Sequence, residues 1–358
     1  MHFKLLLFLP IFALSAKSCQ ATKPVSPNAT PNVISVVISK DSVAERILLY
    51  QRNNGGWAQY GGNATNYSLT LSESTKTTLK TDKVKLDATI DDKSTTLEIK
   101  TLFSTYKKTN NLEYLKAAEN GVKYLLSAQN NAGGWGQFYP DSSSYRKHIT
   151  YNDNAMIDAM TVLKYASEGT NDFENIDKTM ILQAKIALEK GISCILKTQI
   201  IQKGILTAWC AQHDRNTLKP AKARAFELAS ISGNESIGIT EFLMGIDNPS
   251  ADIKRAINAS ATYFEVSKIV GVKVQDIADA TQPSGKDRVV VADPNSTMWA
   301  RFYDLETNKP FFTGRDSVPR ANLADIENER RIGYAYYGTW AAKFLSTNYP
   351  AWVKKWEK

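Results

Sequence analysis

At 358 residues, 43 % hydrophobic and 22 % charged, the chain is long enough for one large or two ordinary domains with a core, and its composition excludes a disordered or fibrous protein. Its 44 lysines and arginines exceed 36 acidic residues by eight, yet no basic block or RNA-binding signature is present, so nucleic acid is not an expected partner. Three cysteines and three histidines offer neither a disulfide scaffold nor a zinc-binding spacing.

Met1-His2-Phe3-Lys4 and the apolar run Leu5 to Leu14 read as an export signal, too short to span a bilayer. Residues 1–18 are expected to be removed, and Cys19 leaves a lipoprotein signal open. Residues 19–32 contain Pro24, Pro27 and Pro31 and are expected to be a tether, which leaves residues 33–358 as the folded unit. Secretion, a periplasmic location and lipid anchoring at the cell surface are all compatible with this start. No membrane-spanning segment is expected. Without Lys4 and Lys17 the chain keeps 42 basic and 36 acidic side chains, or +6. That balance suits an anionic partner such as an acidic polysaccharide, and equally fits ordinary solubility.

Helical spacing of apolar residues predicts helices over Val43–Tyr50, Leu97–Tyr106, Tyr114–Ala128, Ala155–Tyr165, Met180–Thr198 and Tyr334–Leu345. Strand-like alternation is confined to Asn32–Ile38 and Arg288–Val291. A repeat runs through the helices. Gln51 leads to Asn54-Gly55-Gly56-Trp57, Gln129 leads to Gly133-Gly134-Trp135, and a weaker copy runs from Gln199 to Gly204 and Trp209. The fold class expected from these units is mainly α, an α/α toroid or incomplete barrel of helical hairpins whose loops share one rim. A second, partly irregular region of long loops and short helices, such as Ile257–Val266 and Val274–Ala280, occupies about residues 250–313. Each Gly-Gly-Trp is either a structural helix end with a packed aromatic or a sugar-stacking tryptophan near a cleft. Cys194 and Cys210 lie in apolar surroundings and read as buried, inert thiols. His148 and His213 are far apart and no serine elbow is present, so Ser/His hydrolysis is not expected.

Acidic clusters precede two of the predicted helices. Thr89-Ile90-Asp91-Asp92 stands before Leu97, and Asn152-Asp153-Asn154 stands before Ala155. Capping accounts for one acid or amide at each start, and the excess suits a calcium site of carboxylate and carbonyl oxygens. Farther on, Arg301 and Arg315 stand fourteen residues apart in a stretch rich in aromatic and turn residues. Gly314-Arg315-Asp316 has the pattern of a tight turn that presents one guanidinium, which is otherwise an ordinary surface feature.

Together these residues resemble the pectate lyases of polysaccharide lyase family ten. The similarity runs from about Ala44 to Phe344 and is carried by Asn54-Gly55-Gly56-Trp57, Thr89-Ile90-Asp91, Gly133-Gly134-Trp135-Gly136-Gln137-Phe138-Tyr139-Pro140, Asn152-Asp153-Asn154-Ala155-Met156, Thr207-Ala208-Trp209-Cys210-Ala211-Gln212-His213-Asp214, Arg301-Phe302-Tyr303 and Gly314-Arg315-Asp316. The resemblance implies calcium-dependent β-elimination of polygalacturonate, with Ca2+ as cofactor and a monomeric enzyme. It assigns Arg315 as the base that removes the C5 proton, Asp153 and Asp91 as metal ligands, and Arg301, Arg330, Arg224, Asp91 and Asp92 to substrate binding. Departures are local: Asp92 stands where an amide is expected, Asn154 where an acid is, and Ser317 where glycine is.

The residue types make chemical sense. A proton on the carbon α to a carboxylate is weakly acidic, and positive charge on that carboxylate stabilises its loss. An arginine base requires a neutral guanidine, and neighbouring cations with calcium are expected to disfavour its charged form. Two other readings use the same residues. One is a glycoside hydrolase with Asp91 and Asp153 as acid and base. The other is a glycan-binding surface protein without chemistry.

Overall fold

The computed structural model describes residues 39–141 and 143–357. The expected export signal, the tether and the strand at Asn32–Ile38 lie outside those residues. Helix α1 (Ser42–Tyr50) starts where Asp41 accepts the N–H groups of Val43 and Ala44, both at 2.9 Å. There follow α2 (Glu73–Asp82), α3 (Thr96–Thr109), α4 (Leu112–Ala128), α5 (Ala155–Glu168) and α6 (Lys178–Thr198). The later helices are α7 (Glu235–Met244), α8 (Ala251–Val266), α9 (Asn328–Gly333), α10 (Trp340–Lys343) and α11 (Tyr349–Trp356). Helices α3 and α4, α5 and α6, and α7 and α8 pack as pairs. None of the described helices is long and apolar enough to cross a membrane.

The repeated glutamines explain how successive pairs are joined. Gln51 Nε2 donates to Gly55 O at 2.9 Å and to Ala117 O on α4 at 2.8 Å. Gln129 repeats this with Gly133 O and with Ala187 O on α6, and Gln199 with Thr207 O and with Ala256 O on α8. Each tryptophan then turns back onto the helix before it. The indole N–H of Trp57, Trp135 and Trp209 donates to the carbonyl of Ile47, Leu125 and Ile195 respectively. All three rings are fully buried, so they are structural and none is free to stack on a sugar. Glycine is required in the turn, because a Cβ on Gly133, at φ +89°, would lie 2.3 Å from the carbonyl oxygen of Lys190.

The expected mainly α class and its α/α toroid do not hold. Helix makes up 46 % and strand 16 % of the described residues, the strands pair antiparallel in small sheets, and the helix pairs do not define a toroid. Strand Ile269–Ala278 pairs antiparallel with Lys286–Ala300, and Tyr337–Gly338 adds a third strand beside Trp299 and Ala300. The segment Val274–Ala280, expected to be helical, is therefore mostly strand. Across the ladder it meets β-branched residues, Val274 opposite Val290 and Gln275 opposite Val289, which suits a pleated surface better than a helix. Two-residue ladders elsewhere, such as Ile149–Thr150 with Gln212–His213 and Ile231–Ser232 with Phe302–Tyr303, clamp loops together. They are too short for a period of two to show in sequence.

The predicted helix over Tyr334–Leu345 also differs. Helix begins only at Trp340, while Tyr336 is buried with Phe302, Phe311, Phe312, Leu323 and Ile326 in a small second core. The large core fills the space among the helices. Cys194 and Cys210 are free and buried, as expected, and burial raises both thiols.

Candidate active site

Two helix starts supply the acids. The turn Asp91–Lys93 leads towards α3 and the turn Asn152–Asn154 leads into α5. In each, one aspartate takes the left-handed backbone region, Asp92 at φ 45° and Asp153 at φ 49°. Asp and Asn tolerate that region better than other non-glycine residues. Neither turn nor the helix after it has a side-chain cap bond, so capping does not account for these acids. Instead Asp91, Asp92 and Asp153 each place one carboxylate oxygen within 4.8 Å of the others.

This group is under-satisfied. Asp91 Oδ1 is buried without a hydrogen-bond partner. Asp92 accepts from Gln59 Nε2 at 2.7 Å and Asp153 from Asn152 Nδ2 at 2.6 Å. Burial lifts all three carboxyls above their ordinary range, and repulsion adds to it: Asp92 acts on Asp91, Asp153 on Asp92, and Glu235 and Asp91 on Asp153. An orphaned buried oxygen among three repelling carboxylates fits a hard, oxygen-seeking cation. The local exchange of residue types is now placed. Asp92 joins the acidic group, while Asn154 packs against α7, where a Cβ on Gly238 would lie 2.0 Å from its amide oxygen.

The arginines form an adjoining cluster built on aromatic rings. Arg224 and Arg330 each hold their guanidinium over Phe226, at 4.8 and 4.7 Å from the ring centroid. Arg301 lies over Tyr334 at 4.7 Å, and the Phe226 and Tyr334 rings meet edge to face at 5.1 Å. Every one of these cations also has a carboxylate. Arg224 forks onto Glu227, with Nε to Oε2 at 2.7 Å, and Tyr334 donates its hydroxyl to Glu227 at 2.9 Å. Buried Arg301 pairs with Glu235 at 2.5 Å and stands 4.0 Å from Asp153. Burial pushes the Arg301 guanidinium down, but Glu235, Tyr334 and Asp153 outweigh it and leave it above its ordinary value.

Arg315 occupies a different setting. It is 62 % exposed and forks onto Glu329, which also binds Arg330. The hydrogen bond and charge of Glu329 raise the Arg315 guanidinium above its ordinary value. That direction is opposite to the one expected from neighbouring cations, because the charge nearest to Arg315 is negative. Arg315 thus joins the cluster through Glu329 and Arg330, and its salt bridge does not go to the three aspartates. His213, by contrast, is a core residue, and burial pushes it down to about 4.

Sequence reasoning missed Glu227, Glu235, Glu329, Phe226 and Tyr334. Arg224 and Glu227 stand three apart, a spacing common on any surface, and Glu235 is 66 positions from Arg301. One signal was present: Glu235 also opens a helix, as the other acids do.

Acids gathered at helix starts beside a stacked arginine cluster suit a hard cation and an anionic ligand, and the comparisons assign the chain to the polysaccharide lyases. The family model described as pectic acid lyase matches residues 51–345. The chain belongs to that family. The family 10 polysaccharide lyase from Cellvibrio cellulosa is 32 % identical, with a TM-score of 0.74 over 88 % of this chain and 91 % of that one. An aspartate-to-alanine mutant of the same lyase, in complex with trigalacturonic acid, gives the same identity and score over 92 % of its chain. No curated protein matches the sequence.

Proposed function

We propose that this lyase cleaves α-1,4-polygalacturonate by calcium-dependent β-elimination and releases unsaturated oligogalacturonides. The observation that carries this reading is the under-satisfied group of Asp91, Asp92 and Asp153 beside Arg301 and Arg224. The relative solved with trigalacturonic acid supports the substrate class. The apolar N-terminal run supports export, and the excess of basic over acidic side chains, +8 over the full sequence, suits an anionic polymer.

Asp91, Asp92 and Asp153 are the residues that would hold calcium. When bound, the ion supplies positive charge to a uronate carboxylate and so makes the neighbouring C5 proton more acidic. Arg301, Arg330 and Arg224 grip uronate carboxylates with planar forks whose orientation the aromatic rings fix. Arg315 takes the C5 proton. The C5–H electrons become the C4–C5 double bond, and the glycosidic oxygen leaves C4 and is protonated by solvent. Because Glu329 holds Arg315 charged, the base function requires that ion pair to open.

The test is absorbance in the unsaturated-uronide band on polygalacturonate, with calcium and with a chelator. A calcium-dependent rise is expected. New reducing ends without absorbance would identify a hydrolase, and binding without new ends would identify a non-catalytic protein.

A further inference from the structure

Arg315 and Arg330 share a single partner. Glu329 receives Arg315 at 3.1 Å from Nε and 2.8 Å from Nη2, and Arg330 at 2.8 Å from Nε. Among the described residues neither guanidinium has another salt bridge, and the Glu329 carboxylate accepts no other hydrogen bond. The proposed base Arg315 and the proposed carboxylate clamp Arg330 are thus both neutralised by one carboxylate of the chain itself.

This partner is held in place. Glu329 belongs to α9, whose Asn328 donates to Lys286 O at 3.0 Å and to Asp287 at 2.9 Å. Arg331 forks onto the same Asp287, with both bonds at 2.8 Å. One face of α9 is therefore fastened to the base of the long hairpin, and the adjacent positions 329 and 330 are left for the arginine cluster. Glu329 is half exposed, so a polymer can reach it.

We propose that Glu329 is an internal stand-in for a uronate carboxylate, seated on Arg330 and displaced from it by a galacturonate carboxylate of the substrate, which also takes Glu329 off Arg315 and so opens the ion pair that blocks the base. The proposal rests on the pectate-lyase reading and adds a specificity rule to it. Displacement exchanges one carboxylate for another, so an ionised uronate restores what leaves. A methyl-esterified uronate brings no charge, so the arginines stay with Glu329. Glu329 is in this sense a specificity-determining residue that acts through Arg315 and Arg330.

The experiment compares Glu329→Gln with the wild-type chain. Calorimetry measures the Kd of trigalacturonic acid and of its methyl ester in the presence of calcium, and initial rates on polygalacturonate give kcat and KM. For exposed ion pairs of this kind the expected effect is a fall in Kd for trigalacturonic acid of about threefold to fivefold. KM should move more than kcat, and the preference for the free acid over the ester should narrow. Glu329→Asp, which retains the charge, should keep the wild-type preference. Circular dichroism and melting of both variants check folding. An unchanged or weaker Kd in Glu329→Gln, or an unchanged preference, overturns the proposal. Wild-type binding without turnover would instead sink the lyase reading while the exchange at Glu329 is still read from the Kd values.

Discussion

The acidic turns before α3 and α5 and the arginine cluster around Phe226 adjoin each other but are prepared in opposite ways. On the acidic side, Asp91, Asp92 and Asp153 repel one another and one buried oxygen has no partner. On the basic side Arg224, Arg301, Arg315 and Arg330 are all neutralised, by Glu227, Glu235 and Glu329, and three of them are stacked on rings. The difference separates two kinds of readiness. A group of like charges waits for an ion that has no counterpart in the chain. A group of paired charges waits for a ligand that replaces a counterpart already present, which gives selectivity at the expense of affinity.

Removing the exposed end of the basic side should have the largest effect. Arg315→Ala is expected to lower kcat on polygalacturonate by about 10²- to 10⁴-fold, the range for loss of a general base, as read from initial absorbance rates. Arg315→Lys should recover little of it if a guanidine is required. The acidic side is broken by Asp153→Asn. Calcium binding measured by calorimetry should weaken about tenfold or more, with stacking on the basic side intact.

Acidity distinguishes the two sides further. Because the three aspartate carboxyls are raised, the fold binds protons at a higher pH than exposed aspartates do. Calcium affinity should therefore fall as pH drops through that raised range. In chelator the sign for stability is the reverse: repulsion costs stability when the group is ionised, so acidification through the same window relieves it. The difference in Tm between wild type and Asp153→Asn, followed against pH with and without calcium, isolates this effect.

Two smaller perturbations sharpen the comparison on the basic side. Phe226→Ala removes the ring beneath Arg224 and Arg330, worth about 1–2 kcal/mol, and should raise KM by about tenfold with a smaller change in kcat. Tyr334→Phe keeps the ring under Arg301 and loses only the hydroxyl bond to Glu227. It should cost about 1 kcal/mol of stability by denaturant unfolding and leave KM nearly unchanged.

What could be read from sequence follows the range over which each signal acts. Gln129 and Trp135 lie within one loop, so their repeat was visible at Gln51 and Trp57, and five of the six predicted helices are present with near-expected ends. The acidic turns were visible because they hold more acid than a cap needs. Of the hairpin only the second strand showed, in the alternation at Arg288–Val291, since Val274, Ile277 and Ala278 of the first also satisfy a helical spacing and only the pairing with residues 286–290 decides between the two. Two of the pairings around the arginines were hidden for the same reason. Arg301 finds Glu235 and Tyr334 finds Glu227 only after the chain has returned from more than sixty positions away.

The glutamine bridges have a consequence for how the chain can be shortened. Gln51, Gln129 and Gln199 each hold a carbonyl on a helix that arrives 57 to 66 residues later. A unit is thus finished by its successor, and a truncation after α6 would leave Gln199 without Ala256 and open the turn that leads to Trp209. Unlike beads on a string, these hairpins cannot be trimmed from the C-terminal side one at a time, so a fragment that keeps the three turns closed would have to keep every unit through α8.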